Sequence, residues 1–356
     1  MVSSLINLPH NRPLIAKANR NHHMLPRKVA ILYSDAKRKY FPTEEEYLTE
    51  KGTLADAEAF FPYLNQLGVK AVAIPGNRDL AKNLSREKPQ MVINTVATVK
   101  GYDYVAASVP AALELLEIPY TGATIEGFLL GANKFLINAL MRQCGIPVPR
   151  FQLFSSVDAS IDKQLRYPLI LKLNGEHSNV EITREAVVEN DKQLRRRLKY
   201  LLGKYKQNVL VSEFIDGREF AAFWWQPGNR VYVVERKIKL PGNKTKHQFM
   251  DYDLAWHPGK TEADYAPYLR YQSYRDPRLS ALVKRAAVVV KMEDYGKFDI
   301  RLDKTGNYYF IDANANCYLA PPEMECELSR TLKDNGVGFA QALKQLMENT
   351  MREWGL

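Results

Sequence analysis

The segment Lys297-Phe-Asp299-Ile-Arg301-Leu-Asp-Lys-Thr-Gly-Asn-Tyr-Tyr-Phe-Ile-Asp312-Ala-Asn314 constrains this chain more than any other. Apolar and polar residues alternate on both sides of Lys304-Thr-Gly-Asn307, which predicts two strands joined by a turn. With that four-residue connection, Asp299 stands opposite Asp312, Arg301 opposite Phe310 and Lys297 opposite Asn314. Directly opposed residues on one face lie roughly 5 Å apart, so two carboxylates there repel unless a cation lies between them. Hard oxygen donors with room left for phosphate and water suit Mg2+. A hairpin displaying solvated acids is the plain alternative. The strongly apolar flanks, and Arg301 and Asn314 on the same face, count against it.

A chain of 356 residues is too long for one ordinary core, so two or three domains are expected. The first 27 residues are interrupted by Pro9, Pro13 and Pro26 and read as a flexible extension without a secretory signal. No segment reaches the length of a membrane span. Cys144, Cys317 and Cys326 are odd in number and lack metal spacing, which points to a reducing cytoplasm without disulfides. The net charge of +10 is scattered apart from the run Lys192 to Lys199, which reads as a solvated helix face rather than a nucleic-acid site. Such a surface also steers anionic nucleotides.

Lys28–Tyr33, Val69–Ile74 and Met91–Asn94 read as buried strands, with a helix from Leu54 to Leu67 between the first two. Strands separated by helix-length segments imply right-handed βαβ units and an open parallel sheet. No glycine fingerprint follows the first strand. Asn133-Lys134 opens an amphipathic helix that Gly145 ends. Further strands are expected at Tyr167–Lys172, Val180–Thr183, Val209–Glu213 and Glu219–Trp225, with a basic helix over Asp191–Tyr205. The stretch from Leu240 to Tyr268 is rich in Pro, Gly, Lys and Asp and reads as a mobile loop. The last helices are expected over Ser280–Tyr295 and Gly338–Glu353.

Lys172 ends a strand just before the small polar loop Asn174 to Asn179, whose amides can cradle an anion. Lys134 adds an ammonium beside a helix N-terminus, where phosphate is favoured. Glu213, Phe214 and Ile215 close a strand and could meet an adenine edge, while Glu219 could take ribose hydroxyls. Each feature is weak alone, and a surface lysine or a strand-edge glutamate usually does nothing of the kind.

Their order along the chain resembles the ATP-grasp superfamily, and within it the D-alanine:D-alanine ligase-like branch. The matching segments are Ile118-Pro-Tyr-Thr-Gly122, Asn133-Lys134, Gly145-Ile-Pro-Val-Pro149, Pro168-Leu-Ile-Leu-Lys172, Glu176-His-Ser-Asn-Val180, Val209 to Glu219, Phe249-Met-Asp-Tyr-Asp253 and the hairpin through Asn314. The resemblance implies an α/β (α+β) ATP-grasp fold of three domains, placed here at 28–125, 126–214 and 215–356, with ATP between the last two. It implies that Lys134, Lys172, Glu176, Ser178 and Asn179 contact phosphates, and that Glu213, Phe214, Ile215 and Glu219 hold the adenosine. Asp299, Asp312 and Asn314 would bind two Mg2+ ions, for which Mn2+ can substitute. Arg301 would steady an acyl phosphate or the oxyanion that follows, with Lys297 as the second catalytic cation. A salt bridge from Arg301 to Asp299 or Asp312 is its structural alternative. Small-molecule substrates, a cytoplasmic location and a possible homodimer complete the expectation.

Several positions depart from that family. Ile93-Asn-Thr-Val-Ala-Thr-Val-Lys-Gly101 replaces its His-Gly and Gly-Glu-Asp-Gly cluster, and Ala315 to Pro322 replaces its Ser-Pro-Gly turn. Ala255 stands where a loop lysine is expected, which leaves Lys246 or Lys260 to compensate, and Trp256 replaces a tyrosine. Ser212 occupies the place where the adenine-contacting glutamate is often found. These changes argue against cell-wall dipeptide synthesis. Overall length and the N-terminal extension look similar to cyanobacterial ligases that attach an amino acid to mycosporine-glycine, with Tyr102, Tyr104, Trp256 and Tyr318 as candidate stacking residues. A dipeptide-forming ligase and a nucleotide-binding protein without chemistry are the alternatives.

Overall fold

The computed structural model describes residues 25–176, 178–240, 246–256, 264 and 266–356. Most of the expected N-terminal extension, His177 of the polar loop and Lys260 lie outside the described residues.

Three strands open the fold: β1 (Lys28–Tyr33), β2 (Lys70–Pro75) and β3 (Met91–Asn94), parallel in the order β2-β1-β3. The helix expected over Leu54–Leu67 is two short helices, Thr53–Glu58 and Phe61–Gln66. Pro62 lacks a backbone N–H and so sits in a first turn, which starts a new helix rather than continuing the old one.

The central sheet has the order β4-β7-β5-β6, from β4 (Phe151–Phe154), β5 (Leu169–Leu173), β6 (Val187–Val188) and β7 (Val209–Glu213). The helix Asp191–Tyr205 covers it, capped by the Asn190 side chain. This sheet has a core of its own, built from Phe154, Leu171, Leu194, Leu198 and Val211 among others. The two remaining large cores each join the N-terminal sheet to the C-terminal half, for example Leu32 with Phe298 and Ile31 with Leu346.

No strand forms over Val180–Thr183. The chain there turns, with Ser178, Asn179 and Glu181 all at positive φ (58°, 59° and 62°). Glu181 explains the departure. Its carboxylate accepts from Arg197 (2.8 Å), Tyr200 (2.9 Å), Lys204 (3.0 Å) and Tyr205 (2.7 Å). The basic helix therefore turns part of its charge inward to hold this loop, and Arg197 is buried rather than solvated.

The third sheet is antiparallel, ordered β10-β9-β8-β11-β12, from β8 (Gly217–Trp225), β9 (Arg230–Ile238), β10 (Leu269–Tyr274), β11 (Tyr295–Asp303) and β12 (Tyr308–Asn314). The sequence reading missed β9 and β10. The helix expected over Ser280–Tyr295 runs Pro277–Val289 with Asp276 as its cap, and Tyr295 already belongs to β11. Within the expected loop from Leu240 to Tyr268, Tyr252–Trp256 is helical.

In the β11–β12 hairpin, Asp299 opposes Asp312 and Lys297 opposes Asn314, as counted from the turn. Arg301, however, faces Tyr309 and not Phe310, because the register shifts between Asp299 and Ile300. The shift leaves Ile311 as an extra residue on β12, a β-bulge that frees its carbonyl from the ladder.

Candidate functional site

One face of the five-stranded sheet carries Lys297, Asp299 and Arg301 from β11 and Glu219, Ala221 and Phe223 directly beside them on β8. Arg236 of β9 stands opposite Glu219. The other face of the same strands, with Phe220, Ala222, Phe298 and Ile300, is solid core. Alternation of side chains across a strand is thus what collects charge on one side and packing on the other.

That charged face forms the floor of a cavity of about 1090 Å³. At one end the wall comes from the central sheet through Lys172, Glu213, Phe214 and Ile215. At the other it comes from the N-terminal unit through Glu50, Thr53, Asp56 and Thr95, and from Asn316 and Tyr318 after β12. The volume lies at the upper end of ordinary ligand pockets.

The opposed carboxylates Asp299 and Asp312 are balanced by cationic side chains. Arg236 Nη1 lies 2.7 Å from Asp299 Oδ1 and Lys297 Nζ 3.3 Å from its Oδ2. Lys134 Nζ lies 3.4 Å from Asp312 Oδ1. Burial alone would raise the Asp299 carboxyl, but Lys297 and Arg236 outweigh it and hold the group down to about 2. Burial likewise opposes ionisation of Asp312, and Lys134 with Lys172 brings it below the usual carboxylate range. Lys297 is held protonated against its own burial by Asp299. Both acids therefore stand ionised, although burial opposes it.

Lys172 reaches across from the central sheet and donates to the freed carbonyl of Ile311 at 2.9 Å. Burial depresses its ammonium, with Asp312 acting in the other direction. Lys134 is set by its helix start. Asn133 caps that helix by accepting from the Leu136 N–H (3.1 Å), and Asn174 of the polar loop accepts from the Phe135 N–H (2.8 Å). Loop and helix are thereby locked together, and a small recess gathers Lys134, Lys172, Glu176, Asn179 and Asp312. Glu176 accepts from the Gln207 amide at 2.8 Å. Ser178 lines the main cavity, and its carbonyl takes the indole N–H of Trp256 at 2.7 Å.

Glu219 lies nearly buried on the cavity floor. It accepts from Arg301 Nη1 at 2.7 Å and more loosely from the Met250 N–H. Arg301 also donates to the carbonyls of Gly217 and Gln248, both at 2.9 Å, and its guanidinium lies 4.9 Å from the Phe214 ring centre. Its ion-pair partner is Glu219, neither Asp299 nor Asp312. Glu213 accepts from the Arg166 N–H at 2.9 Å.

Of the two lysines weighed as loop substitutes, Lys246 pairs with Glu189 at 2.9 Å and lies off the cavity wall. Trp256 and Tyr318 line the cavity, whereas Tyr102 and Tyr104 are exposed and do not.

Arg236 and Glu327 escaped the sequence reading. Counting outward from the Gln226-Pro-Gly-Asn229 turn would have placed Arg236 opposite Glu219 by the same arithmetic that paired Asp299 with Asp312. Nothing local marked Glu327, which arrives from the helix Glu327–Asp334.

The donor set fits Mg2+. Among the described residues no group of three or more His, Cys, Asp or Glu converges. Two ionised carboxylates and one amide oxygen, with the rest of the shell left to phosphate and water, is the pattern this reluctantly dehydrated ion favours.

The architecture matches solved ATP-grasp ligases. A crystal structure of D-alanine–D-alanine ligase from Bacillus anthracis complexed with ATP superposes with a TM-score of 0.69 at 14% identity, covering 92% of this chain and 98% of that one. These features define an ATP-grasp protein. The family described as D-ala D-ala ligase C-terminus matches residues 140–348, and the chain belongs to it. It is an ADP-forming ligase that joins carbon to nitrogen, with ATP and Mg2+ as its cofactors. Among relatives, the D-alanine–D-alanine ligase of Pseudomonas entomophila is 28% identical over 290 residues, 81% of this chain and 82% of that protein. An uncharacterized protein of Sinorhizobium fredii, y4sG, is 27% identical over 276 residues, 73% and 77% of the two chains. Among the described residues no helix is long and apolar enough to cross a membrane.

Proposed function

We propose that this ligase uses ATP to phosphorylate an oxygen on a carboxyl or carbonyl carbon of one small molecule. The amine of an amino acid then displaces phosphate from that carbon. The pairing of Asp299 with Asp312 on the cavity floor, with Lys134, Lys172 and Lys297 around them, is the observation that carries the reading.

Asp299, Asp312 and Asn314 would hold Mg2+, which when bound neutralises charge on a transferring phosphoryl group. Lys134 and Lys172 would exchange part of their hold on Asp312 and the Ile311 carbonyl for phosphate oxygens. Glu176, Ser178 and Asn179 belong to the loop that would cover those phosphates. Adenosine would lie along Glu213, Phe214, Ile215 and Glu219, with Arg301 fixing Glu219 and backing Phe214. Lys297, on the metal side of Arg301, is then the cation that steadies an acyl phosphate and the tetrahedral oxyanion. The unit 126–214, whose sheet has a separate core, would be the lobe that closes over the nucleotide.

The relatives support two amino acids as co-substrates, a ligation of the D-alanine–D-alanine type, better than they support any other acceptor. A second reading keeps the chemistry and changes the acceptor to mycosporine-glycine, activated at a ring carbonyl oxygen and joined to an amino acid such as serine or threonine. Support for it comes from the replaced segments Ile93–Gly101 and Ala315–Pro322, and from Trp256 and Tyr318 in the wall, aromatic surfaces on which a ring can stack.

The test is ADP release with ATP and Mg2+, coupled to product mass spectrometry, first with amino-acid pairs and then with mycosporine-glycine plus single amino acids. Dipeptide masses establish the first reading, and a mass gain on the cyclohexenimine product the second. Asp312→Ala should lower either activity by about 100-fold or more, the scale of a lost transition-state contact. Unchanged Mg2+ dependence in that variant would remove Asp312 from the metal site.

A further inference from the structure

Arg236 is almost fully buried, and its guanidinium is divided among three carboxylates. Nη1 lies 2.7 Å from Asp299 Oδ1 and 3.5 Å from Glu219 Oε1. Nε and Nη2 form a fork on Glu327, at 2.9 Å and 2.5 Å. A planar guanidinium can satisfy such a set, and an ammonium cannot. Each partner belongs to a different part of the cavity. Asp299 is on the metal side, and Glu219 is on the nucleotide side beside Arg301. Glu327 opens the helix whose Leu328, Arg330 and Asp334 line the cavity wall, which on the proposed reading is the co-substrate end. Because Nη1 occupies Asp299 Oδ1, the carboxylate cannot rotate freely, and Oδ2 is the oxygen left beside Lys297.

We propose that Arg236 is a positioning residue that orients the Asp299 carboxylate toward the metal, and that through Glu327 it ties this orientation to the helix bordering the co-substrate end. The inference rests on the reading of Asp299 as a metal carboxylate. A burial-driven ion pair with no such role would contribute to stability alone. An orienting group acts on metal affinity, where loss of an outer hydrogen-bond partner typically weakens binding by about 10- to 100-fold.

The experiment titrates Mn2+ into the protein saturated with a non-hydrolysable ATP analogue, followed by electron paramagnetic resonance of free Mn2+. It uses the wild type, Arg236→Gln, Arg236→Lys and Asp299→Asn. Circular dichroism and metal-free binding of the analogue serve as controls for folding. Both Arg236 variants should bind Mn2+ about tenfold or more weakly, a larger loss than any in metal-free analogue binding, and Asp299→Asn should lose Mn2+ further. Should Arg236→Gln fail to fold, Arg236→Lys, which keeps the charge and loses the fork, decides. Wild-type Mn2+ affinity in the folded Arg236 variants beside a loss in Asp299→Asn would overturn the inference alone. Wild-type affinity in Asp299→Asn would overturn the metal reading and the inference with it.

Discussion

Lys172 donates to the carbonyl of Ile311 at 2.9 Å, and that carbonyl is free because a β-bulge at Ile311 releases it from the β11–β12 ladder. The contact spans the seam between two sheets with separate cores, so it registers the central sheet against the β11–β12 hairpin. On the proposed reading, the same ammonium would trade that carbonyl for phosphate when nucleotide binds.

Lys172→Met should therefore weaken ATP binding by about tenfold or more, the size of one lost hydrogen bond to a charged group. Fluorescence or calorimetric titration measures this directly. Wild-type affinity in the variant would leave Lys172 with the seam contact as its only role.

Glu181 gives a prediction in pH. Burial pushes its carboxyl up, but hydrogen bonds from Tyr205, Lys204 and Tyr200 and the charge of Arg197 bring the net value below that of an ordinary glutamate. A folded value below the unfolded one stabilises the native state above the unfolded value, and that contribution is lost as pH falls through the folded one. Glu181→Gln should accordingly lower the thermal midpoint at pH 7. The gap to wild type should narrow as pH drops below about 4, where unfolded glutamates protonate. A gap that stays constant from pH 7 to pH 3.5 would show that the charge of Glu181 contributes nothing.

Gly217 begins β8 at φ +155°, and a Cβ there would meet the Leu302 carbonyl oxygen at 2.0 Å. The clash is with backbone, which cannot swing aside, in a conformation that L side chains rarely adopt. Gly217→Ala should cost about 1 to 3 kcal/mol in a urea melt. Because the Gly217 carbonyl also accepts from Arg301, nucleotide affinity should fall together with stability.

Much of this fold is visible in the sequence where local pattern and tertiary demand agree. The strands at Lys28–Tyr33, Met91–Asn94 and Val209–Glu213 and the helix over Asp191–Tyr205 have the bounds that burial pattern and caps suggest. The hairpin pairs Asp299–Asp312 and Lys297–Asn314 agree with a count from a four-residue turn, but only because the extra residue Ile311 offsets a turn that is one residue longer than expected. Between Asp299 and the turn the count is one residue off, and the bulge at Ile311 was not legible, since the partner of its carbonyl is Lys172, 139 residues earlier in the chain. The turns at Val180–Thr183 were hidden for the same reason. An apolar-polar alternation suggested a strand, but four donors on a distant helix favour a turn that presents Glu181. Pairings such as Arg236 with Glu327, 91 residues apart, leave no local trace at all.

Arg301 is where site and sequence part most usefully. The alternation that put it on the face of Asp299 suggested a cation for the reacting acyl group, yet its guanidinium is spent on Glu219, on two backbone carbonyls and on the Phe214 ring. Of these partners Glu219 and Phe214 line the cavity, in the part proposed to take adenosine. Arg301→Lys cannot reproduce the fork or the stacking, so the KM for ATP should rise by about tenfold or more while the turnover number at saturating ATP changes by less than about threefold, taking one charged hydrogen bond as the scale. Lys297→Met should show the reverse, a turnover number lower by about 100-fold at nearly unchanged nucleotide affinity, because on the proposed reading its ammonium would face the oxygen on which charge develops. Steady-state kinetics on the two variants under identical conditions separates these outcomes. A fall in turnover for Arg301→Lys at wild-type KM would return the acyl end to Arg301.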